Sequence, residues 1–176
     1  MIGVAETALL VPVAAAEPLV RRHRLALDPV APLGVPAHIT VLYPFVPPDD
    51  VDQAVCDAIT DVLSGFPAFD FALTHVEKFP DGLVYLAPEP ADPFVAITKA
   101  LAAHWPDHPP YHGAFTSVIP HLSVAMFTNG SLDALEAELN GGLPVRTRAD
   151  AVWLMEGEPE DRWAIRAVFP LSADRT

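Results

Sequence analysis

The sequence predicts an α+β protein built from two similar lobes, and three observations lead to this prediction. Hydrophobic residues make up 51% of the 176-residue chain and charged residues 19%, so the chain can bury a substantial core. Its 20 prolines favour many short elements over long helices. One order of elements then occurs twice along the chain: strand, helix, proline-rich loop, strand, helix, strand.

Hydrophobic patterns and flanking breakers place the elements of the first half. Pro18 is compatible with the first turn of a helix, and a proline-rich loop at 28–36 separates that helix from the next strand. Asp49 or Asp50 can cap the second helix. The predicted elements are a strand at 7–13, a helix at 15–27, a strand at 37–45, a helix at 51–64 and a strand at 69–76.

The second half repeats this order. Pro93 lies near the start of a predicted helix, as Pro18 does, and a proline-rich loop again follows, at 106–119. Ser131 can cap the last helix. The predicted elements are a strand at 83–87, a helix at 93–105, a strand at 120–127, a helix at 132–140 and strands at 145–155 and 162–169. The single domain, 1–176, would then contain lobes at roughly 7–76 and 82–170 that share one core.

The charge balance limits the partners that the protein can have. Ten Lys and Arg residues face 23 Asp and Glu residues, which gives a net charge of −13. Such a surface argues against binding of long nucleic acid, because nonspecific binding needs a basic face. A small phosphate ligand in a local pocket remains compatible with this charge.

The N-terminal region and the cysteine content bear on the cellular location. Residues 1–20 are apolar, but they lack a basic start and are interrupted by Glu6, Pro12 and Glu17, so we expect neither a signal peptide nor a membrane span. Cys56 is the only cysteine, which excludes an intrachain disulfide. We expect a cytoplasmic monomer with no membrane partner.

Two strands share a polar pattern that carries the functional prediction. His38 and Thr40 occur in the first, PAHITVL, and His121 and Ser123 occur in the second, IPHLSVA. Alternate residues of a strand project to one face, so each histidine lies on the same face as its hydroxyl residue. The two pairs occupy the same place in the two halves of the chain.

The two His-x-Thr/Ser strands resemble those of the 2H phosphoesterase superfamily. The segments HITVLYPF and IPHLSVAMF look especially like the branch of 2′-5′ RNA ligase-like proteins and cyclic phosphodiesterases. The resemblance implies a bilobal α+β fold in which two antiparallel-rich sheets face each other across a central cleft, with helices outside. It also implies chemistry without a metal or other cofactor on 2′,3′-cyclic or 2′,5′-linked phosphodiesters of nucleotides or short RNA ends.

The chemistry of the four residues agrees with this implication. Opening a cyclic phosphodiester requires a base for the attacking water and an acid for the leaving oxygen, and His38 and His121 can supply both near neutral pH. Thr40 and Ser123 can donate hydrogen bonds to the non-bridging phosphate oxygens. Either histidine could be the base. Tyr43 and Phe115 flank the motifs and could stack on a base of the substrate.

Other functions remain open at this point. The cleft could bind a small phosphorylated ligand without turning it over. A metal-dependent hydrolase could use His104, His108 and His112, although the prolines between them rule out a continuous helix. One arginine of the cluster Arg21, Arg22 and Arg24 could reach a phosphate, and a solvated helix face is the simpler interpretation.

Overall fold

A computed structural model describes residues 3–126 and 132–173 and contains eight strands and four α-helices within them. The strands are β1 (Glu6–Pro12), β2 (His38–Leu42), β3 (Phe69–Lys78), β4 (Leu83–Glu89), β5 (Leu122–Met126), β6 (Val145–Ala149), β7 (Ala151–Gly157) and β8 (Ala164–Pro170). The helices are α1 (Glu17–Leu27), α2 (Gln53–Leu63), α3 (Asp92–His104) and α4 (Asp133–Gly141).

The strands form one antiparallel sheet in the order β6-β3-β4-β5-β2-β1-β7-β8. The α+β class is confirmed, and so is the antiparallel character of the pairing. The expected separation into two sheets needs correction, because β2 and β5 pair at Ile39 and Leu122 and thereby join the halves. This join makes the two motif strands direct neighbours at the centre of the sheet.

Each half of the sheet combines strands from both halves of the sequence. β3 comes from the first half of the chain but pairs with β4 and β6, whereas β7 comes from the second half and pairs with β1. Strand pairing therefore crosses between the ranges 7–76 and 82–170. Strand exchange of this kind ties the two halves of the chain together through hydrogen bonds.

The predicted strand at 145–155 is wrong as a single element. The chain ends β6 at Ala149, turns at Asp150 and begins β7 at Ala151, and these two strands lie in opposite halves of the sheet. The Asp150 carbonyl accepts a hydrogen bond from the Leu171 N–H at the turn. No glycine or proline interrupts 145–155, so the sequence carries no breaker at the point where the pairing partner changes.

One helix from each half packs against the motif strand of the other half. α1 packs against β5 and α3 packs against β2. The buried Thr98 hydroxyl of α3 also donates a 2.8 Å hydrogen bond to the Val41 carbonyl of β2. Ile39 and Leu122 are fully buried beneath these helices in one continuous hydrophobic core. The helices thus cover the apolar face of the motif strands and leave the histidine face uncovered.

The structure corrects one predicted helix cap and does not describe the other. Asp52, rather than Asp49 or Asp50, caps α2 and accepts a 2.9 Å hydrogen bond from the Val55 N–H. Asp49 and Asp50 lie in the short 3₁₀ turn that precedes it. Ser131, the predicted cap of the last helix, lies outside the described residues, as does the predicted strand end at 127. None of the helices described is long and apolar enough to cross a membrane.

Gly157, the last residue of β7, is packed against the indole ring of Trp163. A Cβ atom at this position would overlap that ring, and Trp163 is itself buried. We expect Gly157→Ala to lower the free energy of unfolding by about 1–3 kcal/mol, because overpacking displaces a buried side chain. Chemical denaturation measures this change.

Gly141→Ala is the matched control, because a Cβ at Gly141 has no atom within 4 Å. This variant should be as stable as the wild type or slightly more stable, since alanine favours the helix. Equal stabilities for the two variants would contradict the packing described for Trp163.

Candidate active site

The join between β2 and β5 sets the geometry of the candidate site. Ile39 lies opposite Leu122 in an antiparallel register, and both side chains point into the core. The residues one position before and after them therefore point to the opposite face of the sheet. These residues are His38, Thr40, His121 and Ser123, so all four predicted site residues share one face.

The same register predicts which of the four residues are neighbours across the strands. Extending the antiparallel pairing by one position in each direction sets His38 beside Ser123 and Thr40 beside His121. Cα atoms at directly opposed positions lie about 4.5–5.5 Å apart. Each histidine therefore has its own motif's hydroxyl residue along its strand and the other motif's hydroxyl residue across from it.

The strands that flank β2 and β5 pair with them in equivalent registers. Leu10 of β1 lies opposite Thr40, and Tyr85 of β4 lies opposite Ser123. Both flanking strands also contain a register shift immediately before these residues. Leu10 and Tyr85 are 75 positions apart, as are Pro18 and Pro93, so the sequence repeat is matched by a repeat of strand register.

Both histidines make the same hydrogen bond to the backbone. The Nδ1 atom of His38 lies 2.8 Å from the Pro36 carbonyl oxygen, and the Nδ1 atom of His121 lies 2.8 Å from the Ile119 carbonyl oxygen. A carbonyl oxygen only accepts, so each Nδ1 carries the proton and donates it. In the neutral ring this tautomer leaves the lone pair on Nε2. Neither Nε2 atom has a hydrogen-bond partner within the described part of the chain.

The two histidines differ in their affinity for a proton. Burial lowers the pKa of His38 to about 4; the Pro36 carbonyl opposes this shift, and the positive charges of Arg24 and His121 reinforce it. Burial also lowers the pKa of His121, where the bond to Ile119 and the negative charge of Asp81 act in the opposite direction. His38 is thus the ring with the strongly depressed pKa.

Aromatic rings and a polar network surround His121. Phe79 and Tyr85 lie edge-to-face with its imidazole, with ring centroids 5.1 and 5.5 Å away. The Tyr85 hydroxyl donates a 2.6 Å hydrogen bond to Glu77, and the other oxygen of Glu77 lies 2.8 Å from the His75 Nε2. Hydrogen bonds from Tyr85 and His75 lower the pKa of Glu77, so its carboxylate stays ionised beside the site.

Tyr111, which sequence analysis did not single out, lies against the first motif. Its side chain is within hydrogen-bonding reach of the Thr40 hydroxyl, and burial raises its pKa despite that contact. Tyr111 and His112 both have positive φ angles, 50° and 55°, which non-glycine residues rarely adopt. A 2.6 Å hydrogen bond from the Tyr111 N–H to the Tyr43 carbonyl holds this turn in place. The signal in the sequence was a tyrosine within the proline-rich loop that precedes the second motif.

The two predicted stacking residues lie on either side of Tyr111. The centroid of the Tyr43 ring lies 6.4 Å from the centroids of the Tyr111 and Trp163 rings. The Tyr43 hydroxyl donates a hydrogen bond to the Glu6 carboxylate. Phe115 is 68% exposed and lies edge-to-face with Tyr111 at 5.6 Å. Phe115 therefore presents a free aromatic surface, whereas the hydroxyl and one side of Tyr43 are already engaged.

The arginine cluster of α1 divides among three roles. Arg22 pairs with Glu138 on the surface, and Arg21 lines a shallow surface pocket. Arg24 is 2% exposed and forms a buried ion pair with Asp28. The Arg24 guanidinium is thus paired with Asp28, and its positive charge acts to lower the pKa of His38.

His104, His108 and His112 do not assemble into one ligand set. His108 and His112 line a surface pocket together with Glu6 and Asp107. His104 ends α3 and contacts the Trp105 ring. Across 3–126 and 132–173, no three His, Cys, Asp or Glu side chains are grouped so that they could hold a metal ion.

The chain belongs to the 2′-5′ RNA ligase superfamily, whose family model matches residues 11–161. The resemblance read from HITVLYPF and IPHLSVAMF is therefore confirmed. Membership of this superfamily supports a phosphoesterase-type function. No curated protein sequence matches the chain significantly.

Solved structures show the same fold at low sequence identity. Escherichia coli LigT complexed with 3′-AMP aligns with a TM-score of 0.63 and 12% identity, over 95% of this chain and 98% of that one. The protein TT0787 of Thermus thermophilus aligns with a TM-score of 0.61 and 15% identity, over 97% of this chain and 100% of that one. A structure described as a phosphoesterase aligns with a TM-score of 0.57 and 13% identity, over 95% of this chain and 98% of that one.

The hydrogen bonds and burial of the two histidines make a prediction for NMR. At neutral pH both rings should be neutral Nδ1–H tautomers, and on acidification His121 should be protonated before His38, which resists protonation to about pH 4. A ¹⁵N titration of the imidazole rings measures both properties. His38→Gln and His121→Gln assign the signals. A His38 ring with an apparent pKa of 6.5 or higher would contradict the desolvation that lowers its pKa here.

Proposed function

We propose that the protein is a phosphodiesterase that opens 2′,3′-cyclic or 2′,5′-linked phosphodiesters of nucleotides or short RNA ends by general acid–base catalysis. The observation that carries this proposal is the shared face of His38 and His121, each with its Nδ1 proton bound to a carbonyl two residues before it. Two Nε2 atoms prepared in this way can accept and donate protons at one phosphorus atom.

The proposed hydrolysis of a cyclic phosphodiester consumes one water molecule. The Nε2 atom of one neutral histidine removes a proton from water as the water oxygen bonds to phosphorus. One bond between phosphorus and a ribose oxygen breaks, and the other histidine, protonated on Nε2, donates its proton to that oxygen. The product is a phosphomonoester beside a free ribose hydroxyl, and the two histidines exchange protons with solvent before the next turnover.

The surroundings of the histidines favour His38 as the base and His121 as the acid. Burial and the neighbouring positive charges keep His38 neutral, as a base must be. Burial lowers the pKa of His121 as well, but the Ile119 carbonyl and the Asp81 carboxylate oppose that shift, so His121 carries a proton more readily than His38, as the acid must. The unequal proton affinities thus match the two roles.

Thr40 and Ser123 are the proposed ligands of the non-bridging phosphate oxygens. Their positions on the same face as the histidines allow hydroxyl donors to approach the phosphorus from both strands. Negative charge builds on these oxygens during attack, so such donors lower the barrier. In the free protein Tyr111 is within hydrogen-bonding reach of Thr40, and a phosphate oxygen would replace that contact.

A nucleotide-sized substrate fits the charge and the aromatic side chains of the protein. The net charge of −13 disfavours a long polyanion. The exposed Phe115 can stack on a base, and Tyr43 supports that surface through Tyr111. Structures of E. coli LigT complexed with 3′-AMP, with NADP⁺ and with phosphate share the fold, which agrees with a small nucleotide or phosphate as ligand here.

A binding protein for a small phosphorylated ligand is the second candidate. The low pKa of His38 favours this interpretation in one respect, because a ring with a pKa of about 4 is a weak general base at neutral pH. Incubation with a panel of 2′,3′-cyclic nucleotides separates the candidates: an enzyme forms a phosphomonoester, whereas a binding protein shows only a thermal shift.

Alanine at either histidine should reduce turnover of a 2′,3′-cyclic nucleotide by about 10²–10⁴-fold, the usual contribution of a general acid or base. His104→Ala, at the end of α3, is the matched control and should keep wild-type turnover. The reaction should also withstand a chelator, whereas a metal-dependent hydrolase would lose activity. Near-normal turnover by a folded His38→Ala or His121→Ala variant would refute the two-histidine mechanism.

The leaving group distinguishes the acid from the base. A p-nitrophenolate leaving group needs little protonation, so His121→Ala should lose at least about tenfold less activity on a p-nitrophenyl phosphodiester than on a 2′,3′-cyclic nucleotide. His38→Ala should lose similar activity on both substrates. The reverse pattern would exchange the two roles.

The lowered pKa values also predict the pH dependence. The base works only above the pKa of His38, about 4, and the acid works only below the pKa of His121, which lies under its usual 6.5. Because kcat/KM reports the free enzyme, its maximum should lie below pH 6.5. Initial rates at low substrate concentration measure this profile, and a maximum at pH 7.5 or above would contradict it.

A further inference from the structure

Side chains of α1 hold the backbone on both sides of Pro36, just before His38. The Ala37 N–H donates a 2.7 Å hydrogen bond to the Glu17 carboxylate, and the Arg24 Nη1 donates a 3.2 Å hydrogen bond to the Val35 carbonyl. The Pro36 carbonyl, which accepts from His38, lies between these two anchored residues. Glu17 and Arg24 are seven positions apart, so they lie on the same face of the helix two turns apart.

Arg24 is itself fixed in a buried setting. Its Nε and Nη2 atoms lie 3.0 and 2.9 Å from the Asp28 carboxylate, and both residues are less than 8% exposed. The other Asp28 oxygen accepts a 3.2 Å hydrogen bond from the Val30 N–H. Burial of two charges costs free energy that a hydrophobic pair would avoid, so stability alone gives little reason for this pair.

The second histidine has no equivalent support from α3. The offset of 83 between the motifs pairs Ala37 with Pro120, and proline has no N–H to donate. The offset of 75 between the helices pairs Glu17 with Asp92 and Arg24 with Lys99, both of which are exposed. Among the residues that the structure describes, α3 makes no hydrogen bond to 118–120. Support of this kind is therefore specific to His38.

We infer that Glu17 and Arg24 are positioning residues that hold the Pro36 carbonyl so that His38 keeps its Nδ1–H tautomer and directs its Nε2 lone pair at the substrate. The inference rests on the proposed function, in which His38 is the base. A base must be held within a fraction of an ångström of the proton it removes, and a 1 Å displacement can reduce the rate by about 10²-fold.

The charges around His38 indicate that this role is mainly geometric. The charged groups that act on His38 are Arg24 and Asp28 from the side of α1 and His121, which directly precedes β5. Arg24 and His121 act to lower the pKa of His38 and Asp28 acts to raise it, but burial has the largest effect. The opposed charges of Arg24 and Asp28 partly cancel at His38, whereas their hydrogen bonds to the backbone do not.

Variants at Glu17 provide the first test. Glu17→Ala removes the acceptor of the Ala37 N–H and should lower kcat by about 10–100-fold with KM changed less than about threefold. Glu17→Gln retains an oxygen acceptor and should restore kcat to within about threefold of the wild type. Arg22→Gln, which changes an exposed arginine of the same helix paired with Glu138, is the matched control and should not change kcat.

A second variant tests Arg24 without leaving Asp28 as an unpaired buried charge. Arg24→Gln combined with Asp28→Asn removes both charges and keeps side chains of similar size. Arg24→Lys keeps the positive charge but loses the fork that reaches both Asp28 and Val35. Both variants should reproduce the kcat loss of Glu17→Ala while thermal unfolding shows a folded protein.

The ¹⁵N spectrum of His38 separates positioning from a structural role. In Glu17→Ala the His38 ring should become a mixture of Nδ1–H and Nε2–H tautomers, whereas the His121 ring should stay Nδ1–H. Wild-type kcat and an unmixed His38 tautomer in a folded Glu17→Ala protein would overturn the inference. If the wild type turns over no cyclic nucleotide, the proposed function fails, and the tautomer measurement still decides whether the residues before His38 are held as inferred.

Discussion

The site depends on a single contact between two apolar side chains. Ile39 and Leu122 are opposed where β2 meets β5, and burial of both beneath the helices fixes which face of each strand is turned away from the core. Because strands alternate strictly, that choice also brings His38, Thr40, His121 and Ser123 to one face. A slip of one residue in either strand would bury its histidine and hydroxyl and expose its aliphatic residues.

The packing of the helices protects this register. α1 lies against β5 and α3 lies against β2, so each motif strand is supported by the helix of the opposite half. The Thr98 hydroxyl strengthens this arrangement through its bond to the Val41 carbonyl. The two halves therefore cannot separate without exposing the core, and the distance between the histidines is set by the most buried part of the molecule.

The repeated architecture produces two chemically different histidines. The same hydrogen bond fixes the tautomer of both, but Arg24 lies behind His38, whereas two aromatic rings and the Asp81 carboxylate surround His121. The difference comes from residues outside the two motifs. In the proposed reaction, this inequality assigns the base to one strand and the acid to the other, while the repeat supplies the matched positions of Thr40 and Ser123.

The sequence by itself determined the α+β class, the order of the elements and the two polar pairs, because periodicity and alternation are local properties that neighbouring residues reveal. The tertiary structure alone decided that β7 pairs with β1, that 145–155 divides at Asp150, that Asp52 is the cap of α2 and that Tyr111 lies against Thr40. It also decided that Arg24 turns inward to Asp28 and Val35. The strand pairing and the Tyr111 contact join positions that are far apart in the chain, while the others are choices among local alternatives. All of them are settled by which arrangement buries the apolar surface and satisfies the buried polar groups, and no local pattern specifies that outcome.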